Sequence, residues 1–213
     1  MRTDVWQQLH TDLTPGVQQD QETYAVPFGA HQLLLPIRQL ADGRRVASLI
    51  VNQASFAVLD ALADALTEKL RPFKPDIIIG IPTLGLTLAE AVARRLGHPR
   101  MVPLGTSRKF WYDDALSVDL KSITTPGGGK RLYVDPRMLP LLNRARVAVV
   151  DDVLSTGASI ASTLRLLSLI EVEPVAIGAA MLQGEGWRDR TGDTPVEGAF
   201  ATPILTKTAE GWT

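Results

Sequence analysis

The sequence predicts an α/β fold: an open, mostly parallel five-stranded sheet with helices on both faces, plus a small hood subdomain from the N- and C-terminal segments. Three observations carry this. From residue 75 onward, short apolar runs without alternation trade places with segments of helical spacing, the pattern of strands buried on both faces and joined by crossover helices. Residues 147–150, Val-Ala-Val-Val, form the clearest such run, continuous and rich in β-branched side chains. The length, 213 residues, suits one compact domain with an appended subdomain.

In chain order, residues 1–22 are polar, with room for one short helix. Residues 33–40 and 46–51 are apolar and flank Ala41-Asp42-Gly43; Asp-Gly between apolar runs predicts a hairpin. Within 55–70, Phe56, Leu59, Leu62, Ala63, Leu66 and Leu70 recur at helical spacing. Residues 76–81 read as the first core strand. Residues 87–96 read as a helix that Gly97 stops, and 100–104 as the second strand. Residues 105–130 are a long polar stretch containing Gly127-Gly128-Gly129, and a loop of that length predicts a mobile functional element. A third strand is expected at 131–134, a fourth at 147–150, a helix at 160–170 and a fifth strand at 175–181. The expected organisation is an N-terminal hood segment, 1–52, an α/β core, 53–182, carrying the flexible loop 105–130, and a C-terminal hood segment, 183–213, lying over the sheet.

Composition excludes several functions. Lys and Arg number 22 against 23 Asp and Glu, so the strong basic excess of a general nucleic-acid binder is missing. There is no cysteine, which excludes disulfides and thiolate metal sites and is compatible with a reducing compartment. His10, His31 and His98 lack metal-ligand spacing. The first fifteen residues hold no apolar core of a signal peptide, and no run approaches the roughly 18 apolar residues of a membrane span. A cytoplasmic protein with no membrane partner is expected.

The sharpest chemical feature is 147–159, Val-Ala-Val-Val-Asp-Asp-Val-Leu-Ser-Thr-Gly-Ala-Ser. A strand that runs through a small-residue turn into a helix presents backbone N–H groups at the positive end of the helix dipole. Thr156 and Ser159 add hydroxyls, and Gly157 lets the backbone approach an anion. Asp151 and Asp152 lie at the carboxyl end of the strand, where open α/β sheets bind ligands. Two acids would repel a phosphate but suit hydroxyl groups. A ribose 5-phosphate satisfies both halves, with the phosphate in the cradle and the 2- and 3-hydroxyls on the acids.

This segment resembles the phosphoribosyl pyrophosphate (PRPP) signature of the type I phosphoribosyltransferase family, and the resemblance spans residues 75–181 in strand order and loop placement. It implies a phosphoribosyltransferase with the type I fold. Asp151 and Asp152 would hold the ribose hydroxyls and Ser155, Thr156, Gly157, Ala158 and Ser159 the 5-phosphate. Magnesium would arrive with the substrate's pyrophosphate and be shared with Asp151 and Asp152. The loop 80–85 resembles the family's pyrophosphate loop, so Pro82, Thr83 and Leu84 would meet the diphosphate through the backbone. Arg108 and Lys109 stand where adenine- and xanthine-type members carry an Arg-Lys pair, and would neutralise the leaving group. Lys130 and Arg131 either assist or are strand-edge charges. A homodimer is implied by the same analogy.

The acceptor is the least legible part. Some 6-oxopurine members carry an Asp immediately before the Thr-Gly; here the residue is Ser155, which favours the adenine-like group and leaves orotate open. Trp187 is the best-placed aromatic for stacking on a base, with Phe28, Trp111 and Tyr112 behind it. The expectation is transfer of the 5-phosphoribosyl group to a nucleobase, a purine with adenine preferred, releasing pyrophosphate. The alternatives are a PRPP-binding regulatory protein and an orotate or other non-purine enzyme.

Overall fold

The computed structural model describes residues 4–120, 130–208 and 211–212. Five strands, Ile77–Gly80, Val102–Pro103, Val147–Leu154, Pro174–Gln183 and Val196–Thr202, form one sheet in which every pairing is parallel. Val147–Leu154 is central, with Pro174–Gln183 on one side and Ile77–Gly80 on the other. Its apolar run is uninterrupted because both faces are covered. Ala148 and Val150 pack with Leu62, Leu66, Leu88 and Val92 from one set of helices, while Val147 and Val149 pack with Ile160, Leu166 and Leu167 on the opposite face.

The helices are Phe56–Leu70, Gly85–Arg95 and Ala158–Leu169, with a short turn at Leu139–Leu142. Ser55 starts the first, its hydroxyl accepting from the Val58 N–H. That helix lies directly on the sheet at Gly178, where an added Cβ would sit 2.9 Å from Leu70 Cδ1 and 3.2 Å from Leu66 Cδ1. No helix among the described residues is long and apolar enough to cross a membrane.

Five strands were expected, but not these five. Arg131–Tyr133 does not enter the sheet; it pairs antiparallel with Ser117–Asp119, and Arg131 spends its guanidinium on the Ser117 hydroxyl and Asp119. Segments of three residues are too short to show a period, which hid this pairing inside the expected 105–130 loop. Residues 121–129, including the three glycines, lie outside the described residues. The place in the sheet is taken by Val196–Thr202, from the segment expected to lie over it. Gly198 and Glu197 dilute its apolar signal, and Gly198 has no room for a side chain, since a Cβ would sit 2.5 Å from Leu182 Cγ.

The N-terminal part forms a second, antiparallel sheet. Its order is Ile204–Leu205, Arg45–Ala47, His31–Gln39, Thr23–Phe28 and Gly16–Val17, with Leu9–His10 also on His31–Gln39. The expected Asp42-Gly43 hairpin is present, with Gly43 at φ +86° and Asp42 accepting from the Arg44 N–H. The second arm stops at Ala47, and Val51–Gln53 turns into a 3-10 helix instead. Residues 4–22 hold two short strands and no helix. The strand Thr23–Phe28 went unpredicted; Gly29, at φ +54°, turns it back into His31–Gln39.

Leu66 tests the packing of the first helix against the sheet. It is fully buried, and its methyls occupy the space that a side chain on Gly178 would need. Leu66→Ala should lower the unfolding free energy by about 2–5 kcal/mol, read from the urea midpoint at constant slope. A loss well under 1 kcal/mol would show that helix and sheet are not in contact there.

Candidate active site

Asp151 and Asp152 are part of the central strand, not of a turn after it. Pro174–Gln183 pairs with Val147–Leu154 as far as Leu154, whereas the ladder with Ile77–Gly80 ends at the Val150–Gly80 pair. Both acids are therefore buried, at 6% and 9% exposure. The Asp152 N–H donates to Asp151 Oδ1 at 2.9 Å. Burial, and then the adjacent Asp152 charge, push the Asp151 carboxyl well above the usual carboxylate range; burial also raises Asp152.

Two helices begin beside this pair. Gly85–Arg95 starts against Asp151 so closely that a Cβ on Gly85 would lie 2.7 Å from Asp151 Oδ1 and 2.8 Å from its Cα. No side chain caps that helix start. The loop before it, Pro82, Thr83 and Leu84, follows Ile81, whose N–H is held by the Val150 carbonyl at 3.0 Å. The Pro82–Thr83 peptide bond is cis. Ala158–Leu169 starts after Gly157, which sits at φ +75° with no side-chain cap. An L-residue is disfavoured there twice, by backbone conformation and because a Cβ would meet Arg190 Cγ at 2.7 Å and Trp187 Cα at 2.9 Å. Ala158 N–H lies 3.4 Å from the Thr156 hydroxyl, a weak contact, and Thr156 and Ser159 are exposed. The structure thus brings Asp151, Asp152, Ser155, Thr156, Gly157, Ala158, Ser159 and the 82–84 loop to the carboxyl end of the sheet, with two uncapped helix starts.

Arg108 and Lys109 follow the edge strand Val102–Pro103. Both are exposed, but Arg108 is bidentate to Asp114, at 2.7 and 3.3 Å. Beside them Trp111 donates its indole N–H to the buried Asp135 at 3.2 Å and lies under the Arg137 guanidinium, 4.7 Å from the ring centroid. Hydrogen bonds from Arg137 hold the Asp135 carboxyl far below the usual range. Trp187 is packed rather than presented. Its indole N–H donates to Gly184 O at 3.0 Å, it is 5% exposed, and Arg188 covers the ring. Trp187 also lines a cavity of about 540 Å³ at the strand ends, with Leu182, Gly184, Ala201 and Ile204. Phe28 is buried against Phe200 and His31.

Sequence reasoning missed Gln183 and Asp114, and it placed Gly85 at the end of the 80–85 loop without foreseeing its close approach to Asp151. A glycine opening a helix was the available signal for Gly85. Gln183 accepts from the Ser155 hydroxyl at 3.1 Å, a contact no local pattern encodes. Among the described residues no group of three or more His, Cys, Asp or Glu side chains could hold a metal. The oxygen donors of the Asp pair suit magnesium as partial ligands beside phosphate oxygens, the way that ion is ordinarily held.

A family model, the phosphoribosyl transferase domain, matches residues 46–197. An adenine phosphoribosyltransferase of Xanthomonas oryzae is 32% identical over 123 residues, 56% of this chain and 61% of that protein. A bifunctional protein PyrR of Mycolicibacterium paratuberculosis is 29% identical over 141 residues, 62% of this chain and 67% of that protein. The chain thus spans about three fifths of the length of the first relatives it matches. Among solved structures, the adenine phosphoribosyltransferase of Thermoanaerobacter pseudethanolicus superposes with a TM-score of 0.63 at 20% identity, covering 78% of this chain and 95% of that one. That likeness establishes the shared fold.

The acid pair makes a prediction about pH. An unfolded Asp ionises near pH ~3.9. The folded carboxyls hold their protons to higher pH, so stability is greatest below that value and falls as pH rises through the raised folded values. Asp151→Asn removes the penalty. It should raise the melting temperature of the ligand-free protein at pH 7, by about 2–4 °C per kcal/mol relieved, with the gap closing near pH 3 to ~4. Equal melting curves at pH 7 would show that the pair is not held under-ionised.

Proposed function

Since the chain belongs to the phosphoribosyl transferase domain family, we propose that it transfers the 5-phosphoribosyl group of PRPP to a nucleobase, with adenine the preferred acceptor, and releases pyrophosphate. The observation that carries this reading is the buried Asp151-Asp152 pair set directly before the uncapped, glycine-headed helix Ala158–Leu169. One ligand class needs both an anion cradle and a pair of hydroxyl acceptors within a few residues, and a ribose 5-phosphate is that class.

In this reading the backbone from Ser155 to Ser159 holds the 5-phosphate, and Asp151 and Asp152 accept from the ribose 2- and 3-hydroxyls. Breaking the bond from C1 to pyrophosphate leaves positive charge on the ribose ring, which the two carboxylates stabilise. A base nitrogen forms the new bond to C1, and its proton leaves to solvent. The 82–84 loop amides, with Arg108 and Lys109, take the negative charge that develops on the leaving group. For Arg108 this means exchanging Asp114 for a diphosphate. Asp151 and Asp152 would help hold a magnesium ion brought by the diphosphate, and that ion would supply further charge neutralisation. The acceptor is read into the cavity at the strand ends that Trp187 lines. A cytoplasmic homodimer belongs to the same reading by family analogy.

The adenine preference rests on Ser155. Its hydroxyl proton is directed at Gln183, and it offers no carboxylate to manage the N7 proton of a 6-oxopurine. The second reading, a PRPP-binding regulatory protein, is favoured by one observation: Arg108 is engaged with its own chain's Asp114.

Three measurements test these readings. Asp151→Asn combined with Asp152→Asn should abolish calorimetric PRPP binding while the fold persists; unchanged binding removes the ribose assignment. Arg108→Ala combined with Lys109→Ala should lower kcat by about 10²-fold with little change in the base KM, and wild-type kcat would leave the pair a solvated turn. At fixed PRPP and magnesium, pyrophosphate release should give adenine the highest kcat/KM among adenine, hypoxanthine, guanine, xanthine and orotate. Hypoxanthine or orotate leading by about tenfold, equal to about 1.4 kcal/mol, overturns the preference. Binding of PRPP with no base reacting selects the regulatory reading.

A further inference from the structure

Gln183 ends the strand Pro174–Gln183 with its side chain buried, and both halves of its amide are committed. Nε2 donates to the Ala47 carbonyl at 2.6 Å, across 136 residues of sequence. Oε1 accepts from the Ser155 hydroxyl at 3.1 Å. Ala47 closes the strand Arg45–Ala47 of the N-terminal sheet, and Ser155 opens the phosphate loop. One side chain therefore ties three separately built pieces together: the N-terminal sheet, the core sheet and the loop.

The chemistry requires an amide. A carbonyl at Ala47 accepts only, so the NH₂ half must face it, which turns the oxygen to Ser155 and fixes the direction of the serine proton. The packing around it leaves little slack. A Cβ on Gly186 would lie 3.2 Å from Ser155 O, and one on Gly184 would lie 2.8 Å from Ile204 Cγ1. The Gly184 N–H is itself held by Thr202 O at 2.8 Å. The Ser155 hydroxyl, its proton spent on Gln183, has no proton to give a phosphate. What it contributes is the placement of the loop.

We propose that Gln183 is a positioning residue for the phosphate loop: acting through Ser155, and braced by Ala47, it sets the loop in the conformation that accepts a sugar phosphate. This rests on the PRPP reading above. Gln183 is buried with its amide committed to Ser155 and Ala47, so its loss should weaken binding of the phosphate half without slowing the chemistry.

The test is a double-mutant cycle on Gln183→Met and Ser155→Ala, with calorimetric affinities for PRPP and for ribose 5-phosphate, and KM and kcat where turnover is measurable. Each single variant should weaken both affinities by about tenfold, the scale of one buried hydrogen bond. The double variant should lose no more than a single one, since both remove the same link. The KM for PRPP should rise with kcat within about twofold, the mark of lost uniform binding. Additive losses would mean that the two residues act separately and would overturn the proposal, as would unchanged affinities. Ser155→Ala leaves the Gln183–Ala47 bond intact, so it decides the matter if Gln183→Met does not fold: wild-type affinity in that variant overturns the proposal. A wild-type protein that binds neither PRPP nor ribose 5-phosphate overturns the reading itself and this inference with it. A wild type that binds, beside variants that bind equally well, overturns the inference alone.

Discussion

Two carboxyl groups buried next to each other are the constraint around which the rest of the molecule is arranged. Asp151 and Asp152 continue a strand that is apolar on both faces, so ionising them means losing hydration and accepting mutual repulsion. The surroundings answer in part. The helix Gly85–Arg95 begins against Asp151 and turns its positive end toward the acid. The Asp152 N–H satisfies one Asp151 oxygen. On one flank Pro174–Gln183 pairs along the whole acid segment, and on the other the ladder stops at Val150. In the proposed function the ribose hydroxyls complete what the protein leaves unfinished, so binding and ionisation are coupled in that reading.

The parts legible in the sequence were those whose cause is local. Ile77 to Ile79 and Val147 to Val150 announce buried parallel strands because no polar residue interrupts them. The Asp-Asp and Thr-Gly steps announce a site because the cradle is built from thirteen consecutive residues. What was missed depends on distant partners. Val196–Thr202 becomes a strand because Pro174–Gln183 offers a free edge, and its own residues hardly demand it. Ser117–Asp119 finds Arg131–Tyr133 across a segment with no periodicity. Trp187 looked available because it follows a strand, yet Gly157 brings its backbone close and Arg188 covers its ring. An aromatic side chain's exposure is decided by tertiary packing, which spacing does not encode.

The two ends of the Arg108 region are held with different firmness. The Arg108–Asp114 pair is exposed on both sides, and such pairs contribute little in water, so a phosphate group can replace the carboxylate at small cost. Trp111 is fixed from below, by Asp135, a buried acid that accepts from Arg137 as well. A firm base under an exchangeable cation lets the charge be redirected while the chain carrying it keeps its place.

The pairing of Ile204–Leu205 with Arg45–Ala47 has a consequence for the order in which the protein assembles. Arg45 also lies over Trp212, 4.4 Å from the ring centroid, and Gln21 accepts from the Trp212 N–H. The sheet begun by the first fifty residues is thus finished by residues made more than one hundred and fifty positions later. On a ribosome adding about 5–20 residues per second, that edge stays open for many seconds after its neighbours emerge. The nascent N-terminal strands must spend that interval unpaired at one side, exposed to other chains. Synthesis from a slowly translated message would lengthen that interval.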